Sequence, residues 1–272
     1  MRIAIVSDIH GNLAALEAVA ADIVRQGVDA VVNLGDSLSG PLLPLETARF
    51  LMARAWTHLA GNHERQILEL HPGSGAADAY AHAQLTAREL AWIATLRPAL
   101  QWSDEVFLCH GTPASDITGL LETAERHAGA AEIEQRLGRI EAGLIACGHT
   151  HVARSVRGAR GQLIVNPGSV GQPAYRDDHP YPHVVETGSP DARYAIVEQR
   201  GQRWHAQLLT VPYDHRAMAE LARANGREDW AVALMSGYVT AQSVAHIEDD
   251  VQLRHRGTET RAESGTSGGQ SH

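Results

Sequence analysis

The chain has 272 residues, 44% of them hydrophobic, which is enough core for one large α/β domain or a domain with an appendage. Its formal charge of -9 disfavours an extended polyphosphate partner such as duplex nucleic acid, but not a small anion held by metal ions, whose own charge dominates locally. No apolar run is long enough for a membrane helix, and two cysteines, Cys109 and Cys147, build no disulfide framework; both read as buried thiols in a reducing, cytoplasmic setting.

The first residues, 2–7, are apolar over too short a stretch for a signal peptide and read as a buried strand. A helix follows over 12–26, with Leu13, Leu16, Ala20, Ile23 and Val24 on one stripe and Gly27 as its stop. Residues 30–34 are a second strand, nearly all apolar, as a parallel strand covered on both faces requires. Pro41 and Pro44 lead into a helix to about 54, and 55–60 is a third strand. This alternation predicts right-handed crossovers and a parallel sheet.

Residues 65–98 break the alternation and read as a helical insertion, a wall for a substrate pocket. Within it 71–75 is a loop, and Thr86 with Glu89 is a capping box opening a helix that Pro98 ends. Strands are expected at 105–108, 144–147 and 162–165, the last closed by the turn Asn166-Pro167-Gly168-Ser169, with a helix over 128–139. Residues 193–198 and 203–211 form a hairpin; 177–183 reads as a solvated loop. Asp214 caps a helix to 225, and 228–236 is another. The divisions are therefore a main domain over 1–213, a helical appendage over 214–247 without a motif, and a polar, disordered tail over 248–272.

Five apolar runs end in side chains that bind hard or borderline metals: Asp8 and His10; Asp36; Asn62 and His63; His110; His149 and His151. Ligands of open α/β sheets gather beyond the carboxyl ends of the strands, so these residues are expected to converge. A mixed nitrogen and oxygen set suits Mn²⁺, Fe, Zn²⁺, Co²⁺ or Ni²⁺. Seven ligands, Asp8, His10, Asp36, Asn62, His110, His149 and His151, exceed one catalytic metal and would serve two that share a carboxylate. Two metals about 3.5–4 Å apart acidify a shared water and clamp the oxygens of an in-line displacement at phosphorus. His63 is then the surplus imidazole, able to protonate a departing alkoxide. Glu64 reads as orienting a ligand or the turn rather than as catalytic.

In this order, Asp8-x-His10, Gly35-Asp36, Gly61-Asn62-His63-Glu64, His110 and Gly148-His149-Thr150-His151 resemble the calcineurin-like metallophosphoesterases over roughly 1–211. The resemblance implies an α/β fold with a β-sandwich core of mixed sheets flanked by helices in four layers. It implies two divalent transition metals, one on Asp8, His10, Asp36 and His151, the other on Asp36, Asn62, His110 and His149, with His63 catalytic. The length and the segment from Asn166 to Pro173 are similar to the small bacterial phosphodiesterase branch, near the diadenosine tetraphosphate hydrolases, so a small phosphorylated substrate, a nucleotide, is the implied partner. The alternatives are a non-catalytic interaction scaffold on the same fold and a protein serine/threonine phosphatase. Against the latter, Ser37-Leu38-Ser39-Gly40-Pro41 follows Asp36 where those phosphatases carry an Asp-Arg-Gly, Ala60 replaces their arginine before Gly-Asn-His-Glu, and Ser39 replaces the aspartate that pairs with the catalytic histidine.

Overall fold

The computed structural model describes residues 1–123, 125–178 and 182–240. The elements run β1 (Arg2–Val6), α1 (Leu13–Gln26), β2 (Ala30–Asn33), α2 (Pro44–Met52) and β3 (Thr57–His58), then α3 (Asn62–Leu68), α4 (Ala76–Gln84) and α5 (Ala87–Ile93). Next come β4 (Ala99–Ser103), β5 (Val106–Cys109), α6 (Ala130–Leu137), β6 (Leu144–Ala146), β7 (Arg154–Arg157) and β8 (Leu163–Asn166). The chain continues through β9 (Ala174–Asp177), β10 (His183–Glu186), β11 (Ala192–Arg200) and β12 (Arg203–Val211) to α7 (His215–Ala224) and α8 (Glu228–Ser236).

The strands form two five-stranded sheets, ordered β12-β11-β1-β2-β3 and β4-β5-β6-β8-β7, and a separate β9–β10 hairpin. In the first sheet β1, β2 and β3 are parallel and β11 and β12 antiparallel; in the second β5, β6 and β8 are parallel. Side chains alternate across each strand and separate the layers. Ile3 and Ile5 point with Val32 and Leu34 into a core shared with Val106, Leu108, Leu144 and Val165 of the other sheet. Ala4 and Val6 face the α1 stripe of Leu16, Val19 and Ile23, while Phe107, Cys109 and Ile145 face Ile133 and Leu137 of α6. The order is helix, sheet, sheet, helix, the four-layer mixed α/β architecture. Both cysteines are buried and free.

Several elements differ from expectation. The third strand spans only Thr57–His58, because Gly61 and the start of α3 end it early. Two antiparallel edge strands, β4 and β7, have no counterpart among the expected elements; their residues are half-buried without the run of apolar side chains that marks the inner strands. Asp177 and His183, expected in a solvated loop, pair with each other as the last and first residues of the β9–β10 hairpin, in which Tyr175 packs against the His151 ring at 4.7 Å; residues 179–181 lie outside the described residues. The insertion holds two further helices, α3 and α4, besides the capped α5; α2, α4 and α5 pack through Leu38, Ala48, Ile67, Ala81 and Ile93. The α7–α8 pair has its own core around Met218, Ala222, Trp230 and Leu234, joined to the main domain through Leu42. The tail over 248–272 lies outside the described residues, and no helix among those described is long and apolar enough to cross a membrane.

Candidate metal centre

The ligand-type residues lie beyond the C-terminal ends of β1, β2, β3, β5 and β6. Because β1–β3 are parallel, as are β5 and β6, these ends share one edge of the sandwich. Backbone bonds tie the loops together: Asp8 N–H to Gly35 O at 3.0 Å, His10 N–H to Asp36 O at 3.0 Å, and Gly171 N–H to Asp8 O at 3.0 Å. The structure brings all seven sequence-predicted ligands and His63 into one constellation. Two groups stand out, Asp8 with His10 and His151, and Asp36 with His110 and His149; within each, the candidate ligand atoms all lie within 4.8 Å of one another.

The backbone there is strained. Asp8, His10, Asp36, His149 and His151 hold φ of 56°, 52°, 51°, 70° and 58°, and among the described residues no other non-glycine has positive φ. Such a conformation costs on the order of 1–3 kcal/mol per residue and persists only where surrounding structure imposes it.

Side-chain contacts orient the donors. The Nδ1 atoms of His10, His151 and His110 meet the carbonyls of Ser39 at 2.8 Å, Gln172 at 3.0 Å and Leu34 at 2.9 Å. A carbonyl only accepts, so each Nδ1 carries the hydrogen and Nε2 of the neutral ring is a lone pair. The Nε2 atoms of His10 and His151 then face each other at 3.1 Å. His110 Nε2 lies 3.1 Å from Asp36 Oδ2 and 3.2 Å from Asn62 Oδ1, and His149 Nδ1 lies 3.1 Å from the same amide oxygen. Asp8 Oδ1, fully buried, has no hydrogen-bond partner among the described residues and lies 3.3 Å from His151 Nε2. Acceptors converging on acceptors at this spacing fit a cation in each group.

Electrostatics agree. Burial would raise the carboxyl of Asp36, yet His110 and His63 hold it well below the usual range; Asp8 is likewise lowered, against burial, by His151. Burial lowers His10 to about 3, aided by His151, and His149 to about 4, aided by His110. Burial opposes charge on His110 too, but Asp36 outweighs it and lifts the ring to about 10. The field that holds that proton is the field that would hold a metal ion in its place.

Around the donors, Glu64 is fully buried and accepts from the backbone N–H of Asp36, Ser37 and Gly61 at 2.8, 2.8 and 2.7 Å, so it orients the Asp36 turn, as expected. Gly61 itself is extended, at φ -97° and ψ -170°, so turning freedom does not explain it. A Cβ there would sit 2.1 Å from Asp36 Oδ1 and 2.7 Å from His110 Cε1. Gly61→Ala is therefore expected to displace Asp36, costing about 1–3 kcal/mol of stability and lowering metal content. Calorimetry and metal analysis that matched wild type would contradict this packing.

His63 stands outside both groups. Its N–H donates to Asp36 Oδ1 at 2.9 Å, and its Nδ1 lies 2.7 Å from Oδ1 of Asp78 on α4. Burial opposes charge on this ring, but Asp36 and the Asp78 hydrogen bond outweigh it and raise it to about 9. Sequence reasoning left His63 without a carboxylate because Ser39 stands where an aspartate was sought; no local spacing pointed to Asp78. Trp230 packs α7 on α8, but its ring also meets that of His10 edge-on at 6.0 Å, and α8 walls a cleft of about 1130 Å³ that opens over both groups. His58 lies away from the site, near Trp56 and Trp92, and Arg65 pairs with Asp116 at the surface.

Two stacked mixed sheets with ligand groups at their shared edge define the metallophosphoesterase class. Residues 1–188 match the calcineurin-like phosphoesterase superfamily domain, and the chain belongs to that superfamily. Among solved structures, a metallophosphoesterase from Sphaerobacter thermophilus is 27% identical, with a TM-score of 0.68 over 87% of this chain and 99% of that one. The hypothetical protein PH1004 from Pyrococcus horikoshii OT3 shares the fold at 17% identity, with a TM-score of 0.68 over 88% and 99%. No curated protein matches the sequence significantly.

Proposed function

We propose that the protein is a dinuclear metal-dependent phosphoesterase that hydrolyses phosphodiester or phosphoanhydride bonds of small nucleotides. The observation that carries this reading is the pair of ligand groups built on left-handed backbone, with lone pairs facing lone pairs. Asp8, His10, Asp36 and His151 would hold one cation, and Asp36, Asn62, His110 and His149 the other, with Asp36 shared. The mixed donors fit Mn²⁺, Fe, Zn²⁺, Co²⁺ or Ni²⁺. Two such cations, when bound, acidify water for in-line attack and offset charge on the phosphoryl oxygens. His63 lines the cleft beside the Asp36 group, and with Nδ1 engaged by Asp78 it can offer a proton from Nε2 to the leaving oxygen.

Two features support this substrate class. About 1130 Å³ is ample for a nucleotide. Neither place where the protein phosphatases carry an arginine for a phosphomonoester dianion does so here: Ala60 stands before Gly61, and Ser37-Leu38-Ser39-Gly40-Pro41 follows Asp36 without an Asp-Arg-Gly. A charged hydrogen bond of that kind is worth about 1.5–3 kcal/mol, tenfold or more in affinity. Diesters and dinucleoside polyphosphates are therefore expected to exceed phosphoserine peptides at least about tenfold in kcat/KM. A preference for the peptides would refute that reading. Assay of a bis-nitrophenyl phosphodiester with Mn²⁺-replete protein tests the activity itself, and no turnover with any of the five metals overturns it.

A further inference from the structure

We infer that Asp78, carried on the inserted helix α4, is the positioning residue of His63, so that the insertion belongs to the catalytic apparatus as well as to the pocket wall. The inference rests on the phosphoesterase reading above for what His63 does, and on geometry alone for the contact.

Asp78 Oδ1 lies 2.7 Å from His63 Nδ1, and its side chain is only 6% exposed. A carboxylate taken out of water needs partners, and among the described residues His63 is the hydrogen-bond partner this carboxylate meets. The contact is not a chance meeting of mobile side chains. Ala81, one turn further along α4, packs with Ile67 of α3, Leu38 and Ala48, so the helix that brings Asp78 in is anchored on the helix that carries His63. From the other side, Gly75 lies so close that a Cβ there would stand 3.3 Å from Asp78 Oδ2.

The imidazole is thereby fixed at both ends of the residue. Its backbone N–H is held by Asp36 Oδ1 at 2.9 Å and its Nδ1 by Asp78, which places the hydrogen on Nδ1 and directs Nε2 elsewhere. Ser39, on the loop after β2, does not share this work: it is fully buried, its carbonyl accepts from His10 Nδ1, and its hydroxyl has no partner among the described residues. The competing account is that Asp78, in the first turn of α4, only stabilises that helix. The two accounts separate by their dependence on the leaving group, because a helix-stabilising carboxylate has no reason to discriminate between an alkoxide and a nitrophenolate.

The experiment compares metal-loaded wild type, Asp78→Asn, Asp78→Ala, His63→Ala and the double variant Asp78→Ala/His63→Ala on two phosphodiesters, one releasing an alkoxide and one a nitrophenolate. Metal content and melting temperature are measured for each. Both Asp78 variants are expected to keep two metals and to lose about 10²–10⁴-fold in kcat on the alkoxide ester, but less than about tenfold on the nitrophenyl ester. The double variant should be no slower than His63→Ala, because the two side chains act as one unit. Equal losses on both esters, or losses that multiply in the double variant, would overturn the inference and leave Asp78 a helix-stabilising residue. ¹⁵N-histidine spectra of wild type and Asp78→Asn give a readout free of turnover: the hydrogen-bonded Nδ1–H signal of His63 should be present in the first and shifted or lost in the second. If wild type cleaves neither ester, the phosphoesterase reading fails by itself, while an unchanged His63 spectrum in Asp78→Asn overturns the contact whatever the activity.

Discussion

Asp36→Asn is expected to lose both metal occupancy and turnover while keeping its fold. Asp36 is 2% exposed, faces His110 Nε2 with one oxygen and accepts the His63 N–H with the other. Asparagine retains the volume and one acceptor, so packing survives. It removes the negative charge that lifts His110 to about 10 and that both cations would share. Loss of a residue that only supports a ligand costs about 10–100-fold in metal affinity, and a shared ligand should exceed that. Metal analysis after equilibration with Mn²⁺ should find fewer than two ions per chain. The thermal stabilisation that added Mn²⁺ confers on wild type, about 2.7 kcal/mol at a hundredfold excess over Kd, should largely vanish. The metal-free variant should melt lower than metal-free wild type, because the ionised Asp36, held well below the usual carboxylate range, is lost beside a buried His110 that it keeps charged. A full complement of metal in this variant would contradict a shared role for Asp36.

His63→Ala should show the opposite division, with two metals retained and chemistry impaired. The ring is in neither ligand group, and the interaction that Asp36 needs from residue 63 comes from its backbone N–H, which alanine keeps. Removal of a general acid costs about 10²–10⁴-fold for a leaving group that departs as an alkoxide. Nitrophenolate departs without protonation, so its loss should be smaller than about tenfold. Turnover of both esters and metal content are the measurements. Equal losses would remove the general-acid role, and a loss of metal would make His63 a ligand.

The residue types of the site were legible because metal-binding side chains at strand ends are local chemistry. Asp8, His10, Asp36, His110, His149 and His151 each follow an apolar run, and parallel strands bring such ends to one edge whatever the loops do. The outer elements were not legible. In β4 and β7 half-buried positions replace alternation, and in α4, Ala-Ala-Asp-Ala-Tyr-Ala-His-Ala-Gln, small residues leave hardly any apolar stripe. The β9–β10 hairpin was hidden by Pro, Asp and His, which read as loop.

By itself the sequence determined the family, the order of the candidate ligands and the surplus imidazole beside Asn62, since each depends on residue type and short spacing. Only tertiary structure decided what surrounds them. Left-handed backbone at five of the ligand positions is imposed by cross-strand hydrogen bonds such as those from Asp8 and His10 to the β2 loop, and an extended Gly61 is required by Asp36 packed against it. The carboxylate that meets His63 comes from a helix fifteen residues on, set in place by apolar packing of Ala81 and Ile67 rather than by any spacing rule. Trp230 reaches the cleft by the same cause: burial of α8 on α7 and Leu42 fixes where its ring lies, and burial is a property of the folded whole.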